Sequence, residues 1–338
     1  MKRALIVFVI AACLLTGCAA KKEQKQYTAT FLSLFDTVTT VIGFAESEEA
    51  FSKKAQDVHD RLHEYHVLFD IYNEYESVNN LKTVNKNAGI APVKVDPKII
   101  ELISDLKKYH DLTSGRVNAA MGSVLSLWHE ARNDGINDPA NACLPDESKL
   151  TEAKNHTDIA SVVVDKEAST VYLTDPAMSL DVGAVAKGWA AQKVSETLPE
   201  GLLISVGGNV VATGPKNKDG AEWVIGIQDP DSDQFLHTIY LSKGSVVTSG
   251  DYQRGYVVNQ KYYHHIIDPD TLYPGAYFRA VTVVCPDSGL ADALSTALFL
   301  MPLDEGQALL TQCGAQALWI DFDGTLHYSP GFQKLIRT

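Results

Sequence analysis

The sequence offers little cysteine for a covalent framework. It has 5 cysteines among 338 residues, and their spacing matches no zinc-binding pattern. Two of them, Cys13 and Cys18, belong to the N-terminal segment, so three remain for the rest of the chain: Cys143, Cys285 and Cys313. An odd number allows at most one internal disulfide among them, and we therefore predict a fold that does not depend on disulfide bonds.

Positive charge is also scarce. The chain has 29 lysines and arginines against 42 aspartates and glutamates, which gives a formal net charge of −13. Proteins that bind nucleic acid in bulk present a basic face, so this class is excluded. An anionic ligand would need local compensation here, from a metal ion or from a well-placed lysine.

A long apolar run is missing as well. Residues 4–15 are twelve consecutive apolar residues, whereas a membrane-spanning helix needs about 20. This segment follows Lys2 and Arg3 and ends in Leu15-Thr16-Gly17-Cys18, which resembles a bacterial lipobox. We predict a signal peptide at 1–17, a lipidated tether at 18–27 with the lipid on Cys18, and one domain at 28–338. The protein would be a membrane-anchored lipoprotein of the cell envelope that faces the extracytoplasmic side. The alternative is an ordinary cleaved signal with a chance cysteine.

The remaining pattern mixes strands and helices without a regular βαβ rhythm, so we predict an α+β fold. Residues 31–44 favour a strand, and Ser47 followed by Glu48 and Glu49 favours the start of a helix. Asp96-Pro97 favours the start of a second helix, and residues 133–149 have a loop-like composition. Shorter strands are predicted at 161–164, 170–173, 202–206, 223–228, 262–267 and 279–284, and helices at 185–198 and 289–301.

Two patterns suggest other functions and are set aside. Residues 320–325 include the phosphatase-like motif DFDGT, but 13 residues after Thr325 cannot supply the remaining parts of such a site. We predict a hairpin that turns at Asp323-Gly324 instead. His59 and His63 lie four residues apart, yet the glutamate of an HExxH zinc motif is absent. Together with His66 they are predicted to form a polar helix face.

Several segments, taken in order, resemble the ApbE family of FAD:protein FMN transferases, and they extend over about residues 30 to 330. The resemblance implies a single-domain, T-fold-like arrangement of mixed sheets with packed helices. The segments are FDTVTT at 35–40, SGRVNAAMGSVLSLW at 114–128, SLDVGAVAKGWA at 179–190, SVGGN at 205–209, TSGDY at 248–252, HHIIDPDTLYP at 264–274 and ADALSTA at 291–297. The chain departs from the family pattern at Asp36 and Leu272, each in place of a glycine, at Asn118, in place of an acidic residue, and at Ser295, where some members have a second aspartate.

Asp292 and Thr296 are four residues apart in an apolar segment, so they share one face of a helix. A carboxylate with a hydroxyl suits a hard cation such as Mg²⁺, although an aspartate near a helix N-terminus can also act only as a cap. The resemblance implies a Mg²⁺ site made by Asp292, Thr296 and the backbone carbonyl of Ala184. Lys187, nearby, could neutralise a diphosphate, or it could be a solvated helix lysine.

The resemblance also implies contacts to FAD. Tyr72 could stack on a flavin or adenine ring, or it could close the core behind the first helix. In Ala120-Met121-Gly122, a small residue and a glycine would allow a close approach of the backbone to the cofactor. His265 and Asp181 are the candidate general bases, and a strand histidine can equally be structural. The implied flavin-binding set is Phe35, Tyr72, Ala120, Met121, Gly122, Asp181, Lys187, His265 and Ile266.

The implied reaction transfers FMN from FAD, as substrate, to a Thr or Ser hydroxyl of a partner flavoprotein outside the cytoplasm, and it releases AMP with Mg²⁺ as cofactor. Two alternatives stay open at this point. One is an FAD pyrophosphatase, in which water is the acceptor and FMN and AMP are the products. The other is a non-catalytic flavin-binding lipoprotein.

Overall fold

The computed structural model describes residues 24–337, and it has the α+β architecture expected from the sequence. No helix in that range has both the length and the hydropathy needed to cross a membrane. The helices are α1 (Glu48–Phe69), α2 (Leu81–Lys86), α3 (Pro97–Leu112), α4 (Gly122–Asn137), α5 (Glu147–Lys154), α6 (Ala186–Ser195), α7 (Ser288–Phe299) and α8 (Leu303–Cys313).

One large antiparallel sheet organises the described residues. It has eight strands in the order β1-β2-β6-β7-β10-β13-β14-β15, and three smaller sheets pair β11 with β12, β8 with β9, and β3, β5 and β4. The strands are β1 (Lys25–Leu34), β2 (Thr37–Ala45), β3 (Val93–Lys94), β4 (Val162–Asp165), β5 (Thr170–Leu173), β6 (Leu202–Val206), β7 (Asn209–Ala212), β8 (Trp223–Gln228), β9 (Phe235–Leu241), β10 (Gly244–Gly250), β11 (Gly255–Val258), β12 (Lys261–His264), β13 (Ala280–Cys285), β14 (Gln316–Ile320) and β15 (Leu326–Tyr328).

The helix starts follow the capping residues in the sequence. Ser47 accepts a hydrogen bond from the backbone N–H of Ala50 at the start of α1, and Asp96 accepts one from Lys98 at the start of α3, whose first residue is proline. Asp287 caps α7 by accepting from the N–H of Leu290. These caps satisfy backbone donors that have no partner within the helix.

The predicted strand at 31–44 is wrong in one respect, because the chain forms a hairpin there. Phe35 and Asp36 lie between β1 and β2 with φ of 53° and 51°, a left-handed conformation that phenylalanine rarely adopts. The N–H of Phe35 donates to Nδ1 of His66 on α1, 3.2 Å away, which holds the turn. β1 also begins at Lys25, so the last three residues assigned to the tether are part of the sheet.

The loop expected at 133–149 is shorter than predicted. α4 continues to Asn137, and α5 begins at Glu147. The Asp323-Gly324 hairpin is confirmed, since β14 and β15 pair across it and the N–H of Asp321 donates to the carbonyl of Thr325. Among residues 24–337, no three His, Cys, Asp or Glu side chains are placed to share a metal ion, and the α1 histidines are no exception.

Helices pack on one face of the large sheet, and this arrangement positions the site. α7 lies across β10 and β13 and beside α6. Ten of its twelve residues are buried, including Asp292 and Ser295. A helix that is apolar on nearly every side belongs in a core, so a carboxylate within it requires a compensating partner.

Candidate active site

A cavity of about 710 Å³ opens at one end of the large sheet. Its volume lies within the range of small-molecule and cofactor sites. The wall is built from the β1–β2 turn, the β6–β7 turn, the end of β10, helices α4 and α7, the loop before α6 and the segment after β12. Tyr72, from the segment after α1, also lines it. The polar residues in the wall include Asp181, Lys187, Asn209, Ser249, His265, Asp292 and Thr296.

Asp292 is the most deeply buried charged group of the cavity, with 4% of its surface exposed. Burial raises the pKa of its carboxyl, and the charge of Lys187, the N–H of Gly188 and the side chain of Asn209 oppose that rise. The N–H of Gly188 donates to Oδ2 at 2.8 Å. A Cβ added at Gly188 would lie 2.4 Å from the Ser288 carbonyl oxygen and 2.6 Å from Cβ of Asp292. Only glycine allows α6 to approach this carboxylate so closely.

The same contact frees a backbone oxygen. In a regular helix the N–H of Gly188 would donate to the carbonyl of Ala184, four residues earlier, but here it donates to Asp292 instead. Ala184 is exposed and lines the cavity. Within residues 24–337 its carbonyl accepts no hydrogen bond. The segment just before α6 therefore presents an available oxygen to the cavity.

Three oxygen donors of different kinds thus line one cavity: the Asp292 carboxylate, the Thr296 hydroxyl and the Ala184 carbonyl. A single carboxylate with neutral oxygens is a donor set that suits Mg²⁺, which keeps several waters and takes phosphate oxygens as further ligands. Asn209 adds a buried amide: its Nδ2 is near enough to Asp292 to help to lower the pKa of that carboxyl, yet it makes no hydrogen bond of good geometry among the described residues. The residues present fit a Mg²⁺–diphosphate centre.

The two adjacent histidines have different environments. His264 is buried, donates from Nε2 to the carbonyl of Gly275 and accepts at Nδ1 from the N–H of Ile266, so both ring nitrogens are used. His265 lines the cavity and donates from Nδ1 to the carbonyl of Arg254 at 3.1 Å. This bond places the proton on Nδ1 and leaves the lone pair of Nε2 available.

His265 is also kept neutral. Burial is the main cause that lowers its pKa from 6.5 to about 3, and the positive charges of Lys187 and Arg254 add to the effect. A neutral imidazole with a free Nε2 has a lone pair that can accept a proton, although so low a pKa makes it a weak base. His265 can therefore act as a base without first losing a proton to solvent.

Tyr72 stands at the mouth of the cavity with 56% of its surface exposed. Its hydroxyl is hydrogen-bonded to Nδ1 of His129 on α4, 3.1 Å away, and the centroids of the two rings are 6.1 Å apart. Burial of the hydroxyl and the nearby charge of Asp181 raise the pKa of Tyr72 to about 12, so the phenol stays protonated. The ring is held but not covered, which leaves a face free for stacking.

Not every residue of the predicted flavin-binding set lines the main cavity. Met121 and Ile266 do, with Asp181 and Lys187. Phe35 lies in an adjoining cleft of about 120 Å³ that also contains Tyr72, Asp181 and Lys187. Ala120 is fully buried. Gly122 packs against Ser179, whose carbonyl oxygen would lie 2.4 Å from an added Cβ. Close backbone packing is thus real at this glycine, but its neighbour there is Ser179 of the protein itself, which forms an isolated bridge with Met121.

Several residues that line the cavity are not among the predicted site residues. His129 and Arg132 follow Met121 and Leu125 at steps of three and four along α4, so helical periodicity could have identified them. Ser249 and Asn209 lie inside segments singled out for their resemblance, without a role attached to them. Arg254 is positioned by its bond to the carbonyl of Asp36 at 3.3 Å, which no local pattern foretells.

Comparison with known proteins decides the family. The ApbE family model matches residues 35–319. The FAD:protein FMN transferase of Treponema pallidum (strain Nichols) is 32% identical over 98% of this chain and 94% of its own length. The chain belongs to the ApbE family. A FAD:protein FMN transferase of Klebsiella pneumoniae (strain 342) is 31% identical over 72% of this chain and 78% of its own length.

Solved structures of the ApbE family have the same fold. The ApbE protein of Thermotoga maritima superimposes with a TM-score of 0.79 at 28% identity, over 94% of this chain and all of that one. The flavin transferase ApbE of Vibrio cholerae gives 0.76 at 22% identity, over 93% of this chain and all of that one. The single-domain α+β fold expected from the resemblance is therefore confirmed.

Two departures from the family pattern have a local structural consequence. Asp36 and Leu272 stand where the family pattern has glycine, and both have positive φ, 51° and 64°. Left-handed backbone favours glycine and is tolerated by aspartate, so the strain falls mainly on Leu272. Leu272 is buried, and its carbonyl accepts from Nε1 of Trp128 at 2.9 Å, a contact that helps to hold the turn.

Proposed function

We propose that this protein is an FAD:protein FMN transferase. It transfers FMN from FAD to a Thr or Ser hydroxyl of a partner protein through a phosphoester bond, releases AMP and depends on Mg²⁺. The relatives named above support the transferase activity. The observation that carries the proposal is that one cavity contains a free imidazole nitrogen together with Lys187 and the donor set of Asp292, Thr296 and Ala184.

FAD has two ring systems, isoalloxazine and adenine, and a diphosphate between them. The cavity offers a surface for each kind of group. The exposed face of Tyr72 suits stacking on one ring. The ammonium of Lys187, whose Nζ also donates to the carbonyl of Gly183 at 3.2 Å, is a point charge for the diphosphate. The amide of Asn209 is a donor for a phosphate oxygen. Fixed donors of this kind bind the substrate and hold its phosphorus in place.

The metal would be held by the Asp292 carboxylate, the Thr296 hydroxyl and the Ala184 carbonyl. When bound there, Mg²⁺ supplies positive charge that offsets the negative charge developing on the phosphate oxygens. Lys187 supplies a second positive charge from the first turn of α6. In a protein of net charge −13, these local charges make the site suitable for an anion.

The chemical step is an in-line displacement. The oxygen of the acceptor hydroxyl forms a bond to the phosphorus on the FMN side of FAD, and the bond from that phosphorus to the bridging oxygen breaks. AMP leaves with the bridging oxygen, and Nε2 of His265 takes the acceptor's proton. Oδ1 of Asp181 accepts a hydrogen bond from the N–H of Gly183, 2.8 Å away, and this bond fixes the loop before α6. We therefore assign the base to His265 and a positioning role to Asp181.

The location of the protein is part of the proposal. The lipobox-like segment places a lipid on Cys18 and the domain on the extracytoplasmic side of a membrane. Cys18 and the predicted signal peptide lie outside the described residues. A client of a lipidated enzyme would itself be secreted or membrane-anchored, with its acceptor hydroxyl outside the cytoplasm.

The test uses the purified protein, FAD, Mg²⁺ and a candidate extracytoplasmic flavoprotein. Covalent flavin is detected by fluorescence of the denatured client after electrophoresis, and AMP is measured in the same reaction. Transfer requires both signals, and both should be lost in the client's Ser or Thr variant. AMP with free FMN would favour the pyrophosphatase, and FAD binding without AMP would favour the binding protein.

A further inference from the structure

Three hydroxyl groups meet where β10 crosses α7. Oγ of Ser249 lies 2.8 Å from Oγ of Ser295 and 3.4 Å from Oγ1 of Thr296. Oγ of Ser295 lies 3.0 Å from the carbonyl oxygen of Asp292. Ser295 is fully buried, whereas Ser249 and Thr296 both reach the cavity. The contacts join a metal-site residue of α7 to a strand that has no part in the proposed donor set.

Counting protons fixes the direction of every bond. Each hydroxyl has one proton to donate, and a carbonyl oxygen can only accept. The proton of Ser295 therefore goes to the Asp292 carbonyl. Ser249 must then be the donor toward Ser295, because that hydroxyl has no second proton. By the same count, Thr296 must be the donor toward Ser249.

The last hydrogen bond of this series determines which part of the Thr296 hydroxyl is available to the cavity. Because its proton is directed at Ser249, Oγ1 of Thr296 keeps its lone pairs available for another partner. A hydroxyl binds a cation through a lone pair, and the cation makes its proton more acidic, so an acceptor for that proton strengthens the site. The 3.4 Å separation is longer than the roughly 2.5–3.0 Å of an ordinary O–H···O bond, so this contact is the weak one of the series. Polarisation of the O–H by a bound cation would strengthen it.

We propose that Ser249 is a positioning residue for the metal site, which acts with Ser295 as a hydroxyl relay to orient Thr296. The inference rests on the proposed function, since it assumes that Thr296 is a ligand. Ser249 itself binds no metal in this account. It acts through Thr296, and Ser295 fixes the direction by using its own proton on the Asp292 carbonyl.

A double-mutant cycle on cation binding tests the relay. Binding of Mn²⁺ in the presence of ADP, a diphosphate without a flavin, is followed by electron paramagnetic resonance, so the readout does not need turnover. Ser249→Ala should weaken Mn²⁺ about tenfold, the lower end of the losses seen when a residue supporting a metal ligand is removed. In a Thr296→Ala background the same change should have no further effect. Ser249→Thr keeps the hydroxyl and should restore binding.

Ser245→Ala is the matched control. Ser245 lies on the same strand and the same face as Ser249, is fully buried and donates to the carbonyl of Cys285 at 2.8 Å, away from the cavity. Its loss should leave Mn²⁺ affinity unchanged. If Ser249→Ala does not fold by circular dichroism, Ser249→Cys, which keeps a weak acceptor of similar size, should show an intermediate loss.

The possible outcomes separate the relay from the metal site itself. Wild-type affinity in Ser249→Ala, with binding lost in Asp292→Ala, overturns the relay and leaves the metal site intact. Losses that add in the double variant would make Ser249 a direct ligand and also overturn the relay. Absence of Mn²⁺ binding in the wild-type protein would overturn the metal site of the proposed function and the relay with it.

Discussion

Replacing Asp292 with asparagine should stabilise the metal-free protein and abolish its response to metal. The carboxylate is 4% exposed inside the most buried helix of the fold. Burial disfavours its charge, and Lys187 and the Gly188 N–H compensate for that only in part, since its pKa stays raised. Asparagine has the same shape and keeps an oxygen for Gly188, while the negative charge disappears.

The sizes of the two effects follow from the structure. An incompletely satisfied buried group costs about 1–3 kcal/mol, and the attraction of the half-exposed Lys187 is reduced by solvent. We expect Asp292→Asn to gain about 1 kcal/mol without metal, which raises Tm by about 1–2 °C in a chain of this size. A ligand at 100 times its Kd stabilises the wild type by about 2.7 kcal/mol. The order of stability should therefore reverse when Mg²⁺ and ADP are added.

The same residue gives a pH dependence of known sign. Its pKa in the folded protein is above the value of 3.8 expected when unfolded. Between those two values the folded state binds more protons than the unfolded state, so the free energy of unfolding decreases as pH rises through this window. The metal-free wild-type protein should therefore become less stable as pH rises toward neutrality. Asp292→Asn has no titrating group there and should lack it.

Thermal unfolding by scanning fluorimetry, with and without Mg²⁺ and ADP and from pH 4 to 8, measures all three effects. Asp304→Asn is the control, because it removes the same charge from an exposed position in the first turn of α8. The reasoning is refuted if metal-free Asp292→Asn melts below the wild type while Asp304→Asn does not. It is equally refuted if Asp292→Asn gains as much from Mg²⁺ and ADP as the wild type does.

Four further predictions concern other parts of the account. His265→Gln should lower the transfer rate by about 10²- to 10⁴-fold with little change in the Kd for FAD. Because the pKa of His265 is about 3, the wild-type kcat/KM should not fall as pH decreases through 6.5. Such a fall would contradict the assignment of His265 as the base. Tyr72→Ala should raise the Kd for FAD by about three- to tenfold, measured by flavin fluorescence. Tyr72→Phe, which keeps the ring, should bind FAD as the wild type does. Wild-type affinity in Tyr72→Ala would exclude stacking. Cys18→Ser should release the protein from membranes or leave an uncleaved precursor, so normal processing with unchanged membrane partition in cell fractionation would remove the lipid assignment. Reductant should leave Tm unchanged, since the cysteines at 143, 285 and 313 are all free; a drop of several degrees would reveal a disulfide.

Patterns of local origin predicted the fold well. Ser47, Asp96 and the alternating strands at 170–173, 202–206 and 223–228 have strong short-range preferences, and the structure has helices and strands at those positions. The turn at Phe35 and Asp36 was missed because phenylalanine is a poor turn former and the residues on both sides favour strands. The N–H of Phe35 is held by His66, 31 residues away, a contact that only the folded chain provides.

The candidate site, like the fold, was predicted where local patterns sufficed and missed where distant segments meet. Helical spacing was enough to place Asp292 and Thr296 on one face of α7. The carbonyl of Ala184 came only from the family resemblance, and its physical basis is the diversion of the Gly188 N–H to Asp292, two segments far apart in the chain. His264 and His265 are indistinguishable by composition. Their hydrogen-bond partners, Gly275 and Arg254, give one a core position and the other a free Nε2 in the cavity.

The most direct test of the central claim is a stoichiometry. The protein, FAD, Mg²⁺ and an acceptor protein are incubated together, the acceptor is analysed by intact mass spectrometry, and AMP is quantified in the same samples. The account predicts an acceptor heavier by the mass of FMN less one water, with one AMP released for each FMN attached. AMP released together with free FMN, while the mass of the acceptor stays unchanged, would contradict it.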